Sequence, residues 1–146
     1  MLPTTHQCIG KWISIIHRKS QVFMQAALDE FGLSPAEMFF LLNMPDAEIN
    51  QKYMSDLLNM DEALAARVMG TLAEKGFITR QRAEADKRAY IIRLTDLGKT
   101  TQPGIRQYQA DWLDRITFGL TAEEIQSLQK QLEVLADNAI NATKRS

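Results

Sequence analysis

The residues best suited to chemistry in this chain are the arginines and lysines crowded into one stretch. Between Arg67 and Lys99 stand eight basic residues, Arg67, Lys75, Arg80, Arg82, Lys87, Arg88, Arg93 and Lys99, against four acidic ones, Glu74, Glu84, Asp86 and Asp96. That segment is net positive although the whole chain carries a formal charge of −1, so the remainder is acidic. A basic stretch in an otherwise acidic chain suits a protein that turns one face to a polyanion and keeps the rest in solution. Other chemistries have thinner support. The chain has one cysteine, Cys8, which cannot staple the fold internally, and a redox role would need a thiolate stabilised by nearby donors or positive charge. His6 and His17 are too few, even with Cys8, to build a metal site within one chain. Asp111, Asp114, Glu123 and Glu124 read as solvated helix faces and caps, not as an acid–base pair. No nucleophile with its base, phosphate-cradling loop or ligand cluster is spaced for catalysis, so an enzyme is the least expected class, and no metal or cofactor is expected.

A basic face needs rigid elements to hold it. From Ile9 to Phe31, apolar residues recur at three- and four-residue spacing (Ile9, Trp12, Ile13, Ile16, Phe23, Ala27, Leu28 and Phe31), which predicts a long amphipathic helix closed by Gly32. Ser34-Pro35-Ala36-Glu37 supplies an N-cap, a proline at the first helical position and a glutamate three residues after the cap. The short helix from Met38 to Asn43 is apolar nearly all round and belongs in a core; Pro45-Asp46 ends it. Asn50 can cap a third helix reaching about Leu58, with Met54, Leu57 and Leu58 on one face. Asn59-Met60-Asp61 is a tight turn, and a fourth helix runs from about Glu62 to Lys75 before Gly76 stops it. Two short helices around a three-residue turn have the spacing of a helix-turn-helix.

The runs Phe77 to Arg82 and Ala89 to Leu94 are β-prone, flank a charged connection, and predict a hairpin. Thr95 can cap a long helix reaching about Phe118 with Ile105, Tyr108, Trp112, Leu113 and Ile116 as its stripe, and Pro103 inside it predicts a kink or a late start. Thr121-Ala122-Glu123-Glu124 is a capping box that opens a last helix carrying Ile125, Leu128, Leu132, Leu135 and Ala139 along one side. The length of 146 residues, with 45% hydrophobic and 24% charged residues, suits one globular domain of roughly 150 residues. No apolar run approaches the roughly 18–20 residues of a membrane span. With neither a secretory leader nor paired cysteines, a reducing, cytoplasmic setting is the simplest expectation.

These elements and residues, in this order, resemble the MarR family of bacterial transcription regulators. Three stretches carry the likeness: the helix-turn-helix MSDLLNMDEALAARVMGTLAEKGFITR, the hairpin with the following helix start DKRAYIIRLTDLGK, and the capping box LTAEE. The similarity covers about residues 9 to 140, and its most specific part is Asp86-x-Arg88 followed by Leu94-Thr95 and Gly98. The resemblance implies a mainly α fold, a winged helix-turn-helix with long N- and C-terminal dimerisation helices. It implies one domain over 1–146, with the winged helix-turn-helix at about 34–99 and the dimerisation helices at about 7–32 and 100–143. It further implies a homodimer bound to a pseudo-palindromic operator in double-stranded DNA, acting as a repressor released by a small aromatic or phenolic effector.

By the same resemblance the fourth helix enters the major groove and the wing an adjacent minor groove. Arg67 falls where the family has a basic residue facing the groove, Arg88 on the wing arginine, and Asp86 in the place of the acid that orients it. Arginine suits both roles, because its planar fork of donors matches phosphates and base edges and fits narrow minor grooves. Arg80, Arg82 and Lys87 are expected on phosphates, and Ala63 and Ala66 on the groove side of the fourth helix. The chain departs from the family pattern where polar and basic residues usually stand: Ala63, Leu64, Gly70 and Thr71 occupy those places, and the wing tip has Ala83-Glu84-Ala85 in place of the usual proline. Direct readout of bases is therefore thin. Trp12, Ile16, Met38 and Trp112 are the candidate effector residues, since methionine and tryptophan suit varied apolar ligands. The alternatives are a winged-helix protein-interaction adaptor with weak DNA binding, and a regulator that senses redox through Cys8; the tyrosine partners of the family's peroxide-sensing branch are not evident, since the first tyrosine is Tyr53.

Overall fold

The computed structural model describes residues 5–86 and 88–144. Lys87, expected on phosphates, lies outside the described residues, as does the side chain of His6. The elements run α1 (Thr5–Phe31), α2 (Pro35–Asn43), β1 (Ile49–Asn50), α3 (Gln51–Leu57), α4 (Glu62–Glu74), β2 (Ile78–Arg82), β3 (Tyr90–Leu94), α5 (Asp96–Ile116) and α6 (Ala122–Ala142). This is the mainly α, winged helix-turn-helix architecture that the sequence predicts. The chain divides into two compact units, Met1–Trp112 and Leu113–Ser146.

In the first unit the core gathers Leu28 of α1, Phe40 and Leu41 of α2, Met54 of α3, Ala65, Val68, Met69 and Leu72 of α4, Ile78, Ile92 and Leu94 of the sheet, and Ile105 of α5. Gly32 and Gly76 both take positive φ, at 67° and 85°, which lets α1 and α4 end in the left-handed conformation that side chains resist. Ser34 caps α2, its Oγ accepting the Glu37 N–H at 3.2 Å. The Glu37 carboxylate does not complete a reciprocal box. It is buried and meets Lys75 Nζ at 2.7 Å, while the same ammonium donates to the Gly32 carbonyl at 2.9 Å, so one cation joins the α1–α2 turn to the end of α4.

The sheet is antiparallel in the order β1-β3-β2. The hairpin was expected, but β1 was not: Ile49 pairs with Ile92 and Asn50 with Ile91. Two residues are too short a run for any periodicity to be visible. On α3 the expected shared face is corrected, since Met54 is fully buried whereas Leu57 is 51% exposed. The buried side of α3 runs through Gln51, Met54, Ser55 and on to the half-buried Leu58, and Leu57, one position before Leu58, falls to the outside of that side. Nor does Pro103 delay α5, which starts at Asp96. Thr95 supplies the start: its Oγ1 accepts the Gly98 N–H at 3.1 Å and donates to the Gly76 carbonyl at 2.6 Å, and its own N–H goes to the Phe77 carbonyl at 3.1 Å. Gly98 is required by close approach, because a Cβ there would lie 2.2 Å from the Phe77 carbonyl oxygen. Further along α5, the buried Gln102 donates through Nε2 to the carbonyls of Leu41 and Met44, both at 2.8 Å.

The second unit holds the end of α5, a turn with Gly119 at φ 91°, and α6. Both halves of the expected capping box form: Thr121 Oγ1 accepts the Glu124 N–H at 3.1 Å, and Glu124 Oε1 accepts the Thr121 N–H at 3.2 Å. No residue of α6 is buried, and Leu128, Leu132 and Leu135 lie exposed along its apolar side. In the first unit, Ile9, Trp12, Ile13 and Ile16 of α1 are likewise exposed.

Candidate nucleic-acid interface

The helix-turn-helix is built by local hydrogen bonds around a left-handed residue. Asn59 sits at φ 49°, a conformation asparagine tolerates better than most side chains. The Met60 N–H then reaches back to the Ser55 carbonyl at 2.9 Å. Asp61 caps α4 with Oδ1, which accepts the N–H groups of Ala63 at 2.8 Å and Leu64 at 3.2 Å. Burying Ala65, Val68, Met69 and Leu72 fixes the rotation of α4. The opposite side then carries Ala63, Arg67 and Thr71 exposed, with Ala66 and Gly70 half-buried.

The wing is held from both ends. At its base, β2 and β3 pair from Ile78 opposite Leu94 to Arg82 opposite Tyr90. At its tip, Asp86 Oδ1 accepts the backbone N–H of Arg88 at 3.0 Å, and the Asp86 carbonyl accepts the Ala89 N–H, also at 3.0 Å. Asp86 thus shapes the backbone that presents Arg88, whose side chain is exposed. Behind the wing, β1 continues directly into α3: Asn50 pairs in the sheet and also caps the helix, its Oδ1 accepting the Tyr53 N–H at 2.8 Å.

The basic stretch separates into two groups. Lys75 is paired with Glu37, Arg93 with Glu48, and Lys99 with Asp46 at 3.3 Å. Arg67, Arg80, Arg82 and Arg88 lie instead on α4 and the wing. Lys52 on α3 is tied to Asp56 at 3.1 Å and to Glu62 at 3.8 Å; the hydrogen bond that its ammonium donates to the Asp56 carboxylate, and then the charge of that carboxylate, raise the Lys52 pKa above the ordinary value. On the wing, the Arg80 guanidinium stacks over the Tyr90 ring with Cζ 3.9 Å from the centroid, and Arg82 approaches the same ring at 5.1 Å. Tyr90 was not among the sequence candidates. Its signal was present, because a hairpin register that sets Tyr90 opposite Arg82 places Arg80 two residues away on the same face.

A cleft of about 310 Å³ opens between these elements, lined by Asn50, Gln51, Lys52 and Glu62 on one side and Asp86, Arg88 and Tyr90 on the other. The wing tip and the start of α4 therefore flank one recess. None of the four effector candidates lines it. Trp12 and Ile16 lie one turn apart on exposed α1, Trp112 packs on Phe23 at 5.3 Å between ring centroids, and Met38 is half-buried against the core. Cys8 is exposed.

Comparison with known proteins places this architecture. The family model of the transcriptional regulators SarA/Rot matches residues 22–103, more than half of the chain. The chain belongs to the SarA/Rot family. Among relatives of this SarA/Rot regulator, the HTH-type transcriptional regulator BilQ of Clostridium symbiosum is 28% identical over 130 residues, covering 88% of this chain and 90% of its own length. The crystal structure of a MarR transcriptional regulator from Methanosarcina mazei Go1 superimposes with a TM-score of 0.82 at 27% identity, covering 94% of this chain and 99% of that one. A MarR family regulator from Listeria monocytogenes, solved with a 26mer DNA, shares the fold at a TM-score of 0.83 and 22% identity, covering 93% of this chain and 96% of its own. The SarA/Rot chain is accordingly a winged-helix, DNA-binding transcriptional regulator of the MarR type, a class of regulators and not of enzymes.

Proposed function

We propose that the protein acts as a homodimer on a pseudo-palindromic site in double-stranded DNA, with α4 in the major groove and the wing in the adjacent minor groove. The observation that carries this reading is the placement of Arg67 on the exposed side of α4 and of Arg88 at a wing tip that shares a recess with the start of α4. In this reading Arg67 meets a base edge or phosphate, Ala63 and Ala66 touch thymine methyls, Arg88 enters the minor groove, and Arg80, Arg82 and Lys87 neutralise phosphates. The exposed apolar sides of α1 and α6 are the surfaces a two-fold partner would cover, since isolated faces of this extent favour association. DNA held in this way would be blocked to transcription, and a small aromatic or phenolic acid bound near Trp12, Ile16, Met38 and Trp112 would release it by preferring the unbound conformation. A cytoplasmic setting follows from that role; among the described residues no helix is long and apolar enough to cross a membrane.

Fluorescence anisotropy with a duplex from the promoter beside the protein's own gene, against a shuffled duplex, tests the central claim. Tight binding to the first, weakened by salt and by salicylate-like acids together with a change in tryptophan fluorescence, is the expected result. Equal, feeble binding to both duplexes would reject it, and a monomer in sedimentation at micromolar concentration would reject the dimer.

A further inference from the structure

Position 70 of α4 is where the family pattern has a basic side chain, and this chain has glycine there, a poor helix former in the middle of a recognition helix. The space above Gly70 is not empty. An ideal Cβ built on Gly70 would lie 3.5 Å from Nη1 of Arg80, so the guanidinium from β2 reaches across the missing side chain. Arg80 is half-buried, in contrast to the exposed Arg67 and Arg88. Its flat face rests on Tyr90 at 3.9 Å, and its Nε is buried with no acceptor. Stacking of this kind uses the face of the guanidinium and leaves the edge donors unspent, so the group is held without being neutralised. Among the described residues no carboxylate lies within ion-pair distance of Arg80.

We propose that Tyr90 and Gly70 form a slot that presents Arg80 as part of the recognition-helix surface, where it supplies the phosphate contact that the side chain at position 70 lacks. The proposal rests on the DNA-binding reading above and deepens it: Arg80 works with α4 and not only as one of the wing cations. Tyr90 and Gly70 are positioning residues. Because the cation is already fixed, little rotamer freedom is lost when it meets its phosphate.

The test is duplex binding by the full chain over a salt series, with a thermal melt of every variant. Arg80→Ala should weaken binding on the order of tenfold, as loss of a charged hydrogen bond does, and reduce the slope of log affinity against log salt by about 0.9. Tyr90→Leu should weaken binding roughly threefold to fivefold with the slope retained, because the contact still forms but from a mobile side chain. Tyr90→Phe should restore the affinity, and Tyr90→Leu should cost nothing further in an Arg80→Ala background. Gly70→Ala should leave affinity intact, since 3.5 Å is an ordinary contact. Gly70→Leu should raise the melting temperature, as a better helix former, yet weaken binding as Arg80→Ala does. Opposite movements of stability and affinity are not expected of a merely structural residue. Wild-type affinity and slope in both Arg80→Ala and Gly70→Leu would overturn the slot, as would an undiminished Tyr90→Leu effect without Arg80. Absence of duplex binding by the unmodified protein would overturn the DNA-binding reading itself, and this proposal with it.

Discussion

Replacing Gln102 by leucine removes two hydrogen bonds at constant bulk, and the cost can be worked out from the acceptors left behind. The Leu41 carbonyl keeps a second partner, the Met44 N–H at 3.3 Å. Among the described residues the Met44 carbonyl has no other backbone donor, and it is buried together with Gln102, which is only 5% exposed. One acceptor is thus left unsatisfied at a cost of about 1–3 kcal/mol, and the other is weakened by up to about 1 kcal/mol. Part of this is offset by the apolar burial of leucine, so Gln102→Leu should destabilise the protein by about 1–3 kcal/mol. For a chain of 146 residues, at about 2–4 °C per kcal/mol, this is a fall of roughly 2–12 °C in the melting temperature. Gln102→Glu carries a sign as well as a size. Its carboxylate would face two carbonyl oxygens in a buried site, so its folded pKa would rise above the unfolded value of about 4.3. The variant would be least stable at neutral pH and would recover as pH falls through that raised value. Chemical and thermal denaturation at fixed protein concentration, with association held constant, measure both. A Gln102→Leu variant within about 0.5 kcal/mol of the parent, the spread of ordinary surface substitutions, would refute the reasoning.

Three further expectations rest on separate contacts. Lys75→Met leaves the buried Glu37 carboxylate without its cation and should cost about 2 kcal/mol in urea denaturation, less than a fully buried pair because Lys75 is 40% exposed; Glu37→Leu in the same chain should recover most of it. Tyr108 donates to the Glu30 carboxylate, and that hydrogen bond, followed by desolvation and the charges of Glu30 and Asp111, raises the phenol above its ordinary 10.0. The folded chain therefore holds this proton more tightly than the unfolded one, the contribution is complete below pH 10.0 and is lost as pH climbs through the raised value; ultraviolet titration of tyrosinate should show one late tyrosine, shifted back by Glu30→Gln. In duplex titrations, Arg67→Ala should cost about 1–3 kcal/mol on the specific site and little on random DNA, whereas Arg88→Ala should weaken both, with the larger loss at sites flanked by A·T runs.

Most of the scaffold could be read from residue order alone, because its signals are local. Ser34, Asn50, Thr121 and the glycines at 32 and 76 act on N–H and C=O groups within a few positions, and each does in the structure what its type suggests. The contacts that escaped the reading are those made over long separations. Glu37 has the spacing of a capping-box partner but is taken by Lys75, 38 positions away, since a buried carboxylate gains more from a cation than from one more N–H. The pairing of Ile49-Asn50 with β3 depends on where the hairpin comes to rest, and Leu57 has a helical spacing from Met54 but lies on the far flank of a buried side centred on Met54, Ser55 and Leu58. The exposed placement of Arg67 on α4 and of Arg88 on the wing could be anticipated from charge and resemblance. Tyr90 showed only through the hairpin register and Gly70 only as a missing basic residue; their joint part in holding Arg80 needed the three-dimensional contacts.

Gly98 leaves the base of the wing without clearance. With the first turn of α5 pressed on the Phe77 carbonyl, and Thr95 bonded to both Gly76 and Phe77, that turn and the root of β2 behave as one gear tooth meshed with another. A rotation of α5 that preserves these contacts must carry Phe77 with it and swing the hairpin that begins one residue later. The mesh has no slack to absorb a change in either partner, and even a methyl at position 98 would strip the gear.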